Sequence, residues 1–115
     1  MTDALAREAA MRVAAAMGPG WYIADGDTPS NYRFLNGGKN SRIRCRFEYK
    51  CDDFVYIAFQ GESWLEVLDN FFEDTKEKIT TWQRTVLEKL GDAASAEELI
   101  LKMTVSGENQ ASPDA

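Results

Sequence analysis

Apolar positions along the chain keep two rhythms. Between residues 3 and 17, Leu5, Ala9, Val13 and Ala16 recur at helical spacing. Thr2 or Asp3 can cap the start, and Gly18-Pro19-Gly20 stops the run. This predicts an alanine-rich helix whose stripe is small enough to lie close to its neighbour. From Trp21 the period shortens to two. Residues 21–24, 32–35, 41–51 and 54–59 read as strands, with turn-forming stretches at 25–30, 36–40 and 52–53. Connections this short leave no room for crossovers, so an antiparallel meander of three or four strands is expected.

Beyond Gly61-Glu62 the helical period returns. Ser63 and Glu66 stand at capping-box spacing. Trp64, Leu68, Phe71, Phe72, Thr75, Ile79, Trp82, Val86 and Leu90 share one face, while Glu62, Glu66, Asp69, Glu73 and Glu77 hold the other. The phase persists across Thr80-Thr81, which predicts one helix running to Gly91, roughly 40 Å long at about 1.5 Å per residue. Such a rod would overhang a domain of this size. Its far end, Trp82, Val86 and Leu90, then needs cover from a second copy or from the next element. Ser95 and Glu98 repeat the capping-box spacing and open a short helix over 96–103, with Leu99, Ile100 and Met103 on its apolar side. Residues 1–104 are expected to form a single α+β domain, a two-layer sandwich of N-terminal helix, antiparallel meander, long amphipathic helix and short C-terminal helix. Residues 105–115 are expected to be a disordered acidic tail.

The stretch 41–51, SRIRCRFEYKC, alternates basic and apolar residues. Alternation sends Ile43, Cys45, Phe47, Tyr49 and Cys51 to one face of the strand and Arg42, Arg44, Arg46, Glu48 and Lys50 to the other. A two-residue turn at Asp52-Asp53 pairs Cys51 with Phe54, Tyr49 with Tyr56 and Phe47 with Ala58. That aromatic side is the natural seat for the helices. The same register sets Lys50 beside Val55, Glu48 beside Ile57 and Arg46 beside Phe59 on a far face expected to be solvated.

Charge sharpens this picture. The chain carries 19 acidic and 13 basic residues and no histidine, for a formal charge of −6. Residues 33–50 hold +5, from Arg33, Lys39, Arg42, Arg44, Arg46 and Lys50 against Glu48, whereas residues 51–115 hold −9. A basic sheet face and an acidic helix back are the consequence. Carboxylates suit the first turn of a helix, where the macrodipole favours them. Glu73 and Glu77 continue the stripe beyond that reach, joined in sequence by Asp74.

Several chemistries are disfavoured. Without histidine there is no Ser-His-Asp or Cys-His arrangement and no imidazole metal ligand. Cys45 and Cys51 lack zinc-site spacing and read as reduced structural thiols of a cytoplasmic protein. Asn36-Gly37-Gly38-Lys39 is not a phosphate loop, and Asp25-Gly26-Asp27 lacks the later ligands of a calcium loop. No cofactor or metal is expected, an enzyme is the weakest class, and no segment is apolar for long enough to span a membrane.

What remains is binding. Glu62, Glu66, Asp69, Glu73 and Glu77, with Asp52 and Asp53, form a candidate surface for a basic protein partner, a nucleic-acid-binding protein being one such partner. In size, charge and lack of catalytic motifs the chain is similar in profile to immunity proteins, antitoxins and small phage-encoded inhibitors of bacterial defence, anti-CRISPR proteins among them. That profile implies an inhibitor that masks its partner, although no motif carries the likeness. A second candidate is a nucleic-acid module using Arg42, Arg44, Arg46, Lys50 and Phe59. A third is an acidic dimeric chaperone or structural subunit with Trp82, Val86 and Leu90 as its seam.

Overall fold

Parity along one hairpin sets the centre of the structure. β3 (Cys45–Cys51) and β4 (Phe54–Gly61) are antiparallel around the Asp52-Asp53 turn, with Cys51 opposite Phe54, Tyr49 opposite Tyr56, Glu48 opposite Ile57 and Phe47 opposite Ala58. Asp52 takes the left-handed backbone, φ 50°, that an aspartate tolerates in a tight turn. The register therefore obeys the alternation of the sequence up to Phe47. There it breaks. Cys45 pairs with Gly61, leaving a bulge on β4 in which Phe59 adopts φ 57°. The extra residue inverts the parity at this end of the strand. Phe59 turns from the far face into the helix-side core, 6.2 Å from Phe47 and 5.3 Å from Phe71 between ring centroids.

The computed structural model describes residues 2–35, 43–77 and 79–104. Its sheet is mixed, in the order β1-β3-β4-β2, where β1 is Trp21–Asp25 and β2 is Tyr32–Phe34. β1 pairs antiparallel with β3, but β2 pairs parallel with β4. The fold is α+β as the pattern predicts, yet the strands are not an all-antiparallel meander. The turn-rich stretch 26–31 is a strap from one sheet edge to the other. It is pinned on the way: the Gly26 and Asp27 carbonyls accept from Arg46, and the Asn31 side chain donates to the Asp53 carbonyl.

The helices pack on the opposite face. α1 (Asp3–Met17) is capped by Thr2, whose hydroxyl accepts from the Leu5 amide. Its buried stripe is Ala6, Ala9, Ala10, Val13 and Met17, whereas Leu5 is 37% exposed. α2 (Trp64–Glu77) folds back from β4 and buries Trp64, Val67, Leu68, Phe71 and Phe72. Burying a side chain of this kind contributes roughly 1.5–3 kcal/mol.

The expected single long helix is two. α3 (Thr81–Lys89) starts afresh at Thr80, whose hydroxyl accepts from the Gln83 amide at 3.1 Å while the Gln83 side chain accepts from the Thr80 amide at 2.8 Å. Gln83 also donates to Asp74 Oδ2 at 2.7 Å, tying the two helices together. β-branched Ile79, Thr80 and Thr81 weaken helix propagation at this point, and the reciprocal cap ends it. Gly91 comes after α3 with φ 74°, as a helix-ending glycine does. α4, residues 96–104, then lays Ala96, Leu99 and Ile100 over Val86 and Leu90 in one core. The tail expected at 105–115 lies outside the described residues.

Candidate functional site

The acidic residues singled out on α2 are exposed. Glu62, Glu66, Asp69 and Glu73 face solvent while the opposite side of the helix is buried in the core. The Glu77 side chain lies outside the described ones. The stripe is held rigidly at its start. Asp3, from α1, lends one carboxylate oxygen to the amides of Trp64 at 2.9 Å and Leu65 at 3.4 Å, so a residue some sixty positions earlier caps α2. Ser63 accepts from the Glu66 amide as an N-cap does, while Glu66 Oε2 reaches one residue past the cap and accepts from the Glu62 amide. Farther along, Glu73 pairs with Lys76 at 3.3 Å on an open surface, a contact worth no more than about 1 kcal/mol.

At the head of α2 the stripe runs into a polar cleft of about 540 Å³. Asp3, Asp25 and Glu62 line it with Arg44 and Cys45. Three carboxylates thus meet one guanidinium. The cleft arises because the start of α1, the end of β1, the start of β3 and the start of α2 converge there. Cys45 donates its thiol to the Glu62 carbonyl at 3.8 Å. Burial, then the nearby Asp3 and Asp25 charges, push that thiol above its ordinary pKa, which disfavours the thiolate. Among the described residues no group of acids and cysteines is arranged to hold a metal ion. Asp52 and Asp53 are exposed but precede β4, whereas Glu62 comes after it. The eight residues of that strand separate them by about 26 Å at roughly 3.3 Å per residue.

The basic face expected on the sheet loses Arg46 and Phe59 to the interior. Arg46 is 2% exposed and Glu48 4% exposed, because the strap lies over them. The Arg46 guanidinium donates to Glu48 Oε2 at 2.5 Å and to the carbonyls of Gly26, Asp27 and Ile43 at 2.8–2.9 Å. Its charge is satisfied internally. Phe59 is in the core, Arg42 lies outside the described residues, and only Arg44 and Lys50 of the set are exposed. The expected dimer seam is occupied in part. Val86 and Leu90 are buried beneath α4, and Trp82, 41% exposed, stands 6.1 Å from the Trp21 ring.

Sequence reasoning misses Asp3 and Asp25, which reach the site only through tertiary convergence. It also misses Tyr22. Register sets Tyr22 opposite Glu48. Partial burial first, then hydrogen bonding and charge from the Glu48 carboxylate, raise the Tyr22 phenol above its ordinary pKa. Among the described residues no helix is long and apolar enough to cross a membrane. No protein-family model matches the chain, and neither curated proteins nor solved structures offer a significant match.

Proposed function

We propose that the chain is a non-enzymatic binding protein that docks its acidic α2 side onto a basic protein and masks that surface. The observation that supports this most is the continuity of charge. The cleft lined by Asp3, Asp25 and Glu62, with Arg44 among them, lies at the head of the helix that carries the exposed carboxylates Glu66, Asp69 and Glu73. A lysine or arginine of the partner would enter the cleft, and further basic residues would lie along the helix. A helix locked by its buried face and a side-chain cap presents these charges with little ordering left to lose on binding. Complementary charge would also speed the encounter. The burial of Arg46 and Phe59 weighs against the nucleic-acid reading.

The test compares the chain with its triple variant Glu66→Lys, Asp69→Lys, Glu73→Lys as baits in extracts of the native host, with nuclease present. Loss of a specific basic partner from the variant, and its release from the parent by moderate salt, is the expected result. A partner retained equally by both baits sinks the proposal.

A further inference from the structure

A second concavity lies between α1, α3 and α4, away from the acidic track. It is an open groove of about 830 Å³. Ligand pockets commonly have volumes of about 300–1,000 Å³. Its floor is apolar: Ala16, Leu90 and Leu99 are buried there. Met103 forms part of the wall, and Leu101 projects beside it 62% exposed, although the other side of α4 is firmly in the core. The rim is cationic. Arg12, Lys89 and Lys102 come from three different helices to the same groove, in a chain whose formal charge is −6.

The lysines have a structural task that does not consume their charge. Lys102 donates to the Gly91 carbonyl at 2.7 Å and Lys89 to the Ala16 carbonyl at 3.5 Å, near the C-terminal ends of α3 and α1. Carbonyls there carry partial negative charge and welcome a cation. Each contact uses one of three N–H donors of an ammonium group. Among the described residues Arg12 has no such contact. Among the described residues no carboxylate forms an ion pair with any of the three. An apolar trough rimmed by cations with no counter-ion among the described residues is complementary to an anion that carries an apolar chain.

We infer that this groove binds an anionic amphiphile, a small molecule with a carboxylate head and an aliphatic chain. The head lies among Arg12, Lys89 and Lys102. The chain lies along Leu90, Leu101 and Met103. The site is separate from the acidic track and stands or falls independently of the partner proposed above.

Decanoate is the probe, titrated into the full chain below its micellar concentration and followed by calorimetry. Decyltrimethylammonium supplies the same chain with the opposite head, and acetate supplies the head alone. Saturable binding of decanoate is expected, with both controls weaker by about tenfold or more. The variant Lys89→Gln, Lys102→Gln should weaken decanoate by roughly tenfold, and Leu101→Ser should do so without removing any charge. Matching circular dichroism and melting curves check that each variant is folded. Should the lysine pair unfold, Leu101→Ser and Arg12→Gln, both changes at exposed positions, carry the test. No saturable decanoate binding overturns the inference, as does equal binding of the cationic amphiphile. Binding unchanged in folded variants overturns it too. A concentration-dependent dimer that Leu101→Ser abolishes would assign the groove to a second copy and equally overturn it.

Discussion

Arg46 and Glu48, two residues apart on the same side of β3, meet at 2.5 Å with side chains only 3% and 5% exposed. The pair sits where the alternation of the sequence promises a solvated face. Its surroundings explain how it is tolerated. Three backbone carbonyls also accept from the guanidinium, so the charge leaves water for four protein acceptors. Replacing Glu48 by Ala strands the guanidinium and is expected to cost about 3–5 kcal/mol in urea unfolding. The double variant Arg46→Met, Glu48→Leu should cost less than the two single changes summed. Additive costs would mean the pair is not coupled.

Alkaline pH probes the same network through Tyr22. Its phenol is raised above the ordinary value of about 10, so the folded state holds the proton more tightly than the unfolded one. The contribution is complete below about pH 10 and is lost as pH rises through the folded value. Wild type should therefore lose stability faster than Tyr22→Phe above about pH 10. Parallel pH profiles in urea titrations would refute this.

Phe59 combines a core side chain with a left-handed backbone, φ 57°. Truncation to Ala is expected to cost about 3–5 kcal/mol. Glycine removes one more carbon but relieves a backbone strain of roughly 1–3 kcal/mol. Phe59→Gly should therefore be the more stable of the two variants, reversing the usual order of Ala and Gly in a strand. Thermal melts of the pair decide the point.

The cap from Asp3 joins α1 to α2. Asp3→Ala should lower stability by about 0.5–2 kcal/mol. In a domain of this size that corresponds to several degrees in Tm, roughly 4–8 °C per kcal/mol. Thr2→Ala touches only α1 and should leave amide exchange at Trp64 and Leu65 unchanged, whereas Asp3→Ala should accelerate it.

Close packing of α1 gives a further expectation. Ala9 and Ala10 are fully buried. Ala10→Leu forces extra carbons into a filled space and should destabilise by about 1–3 kcal/mol in urea unfolding. A neutral result would show that the alanine stripe faces unfilled space.

How much of this is legible in the sequence depends on the range of the interaction that decides it. The β3–β4 register is legible because one turn and one parity fix it. The break at Thr80 leaves a local sign in the Thr80-Gln83 spacing, but a continuous hydrophobic phase hides it because α2 and α3 face one core. The bulge is not legible, since phenylalanine is a poor residue for a left-handed backbone and nothing local marks it. The path of 26–31 is hidden for another reason: Asp25, Gly26, Asp27 and Pro29 suit a strap as well as a hairpin. Opposite charges at Arg46 and Glu48, on one face, are the available sign that this face carries a roof. Of the acidic site, the α2 stripe is readable, whereas Asp3 and Asp25 join it only once four elements meet. The groove between α1, α3 and α4 draws on residues far apart in the chain, and no local pattern announces it.

The parallel pairing of β2 with β4 also imposes an order in time. A chain made from its N-terminus exposes β1 and β2 well before β4, the strand to which β2 must bond. Until Phe54–Gly61 has left the ribosome, the strap lacks the strand that anchors its far end. Closing the sheet therefore waits on β4, whereas the backbone carbonyls that Arg46 uses, on Gly26, Asp27 and Ile43, are all made before the guanidinium itself.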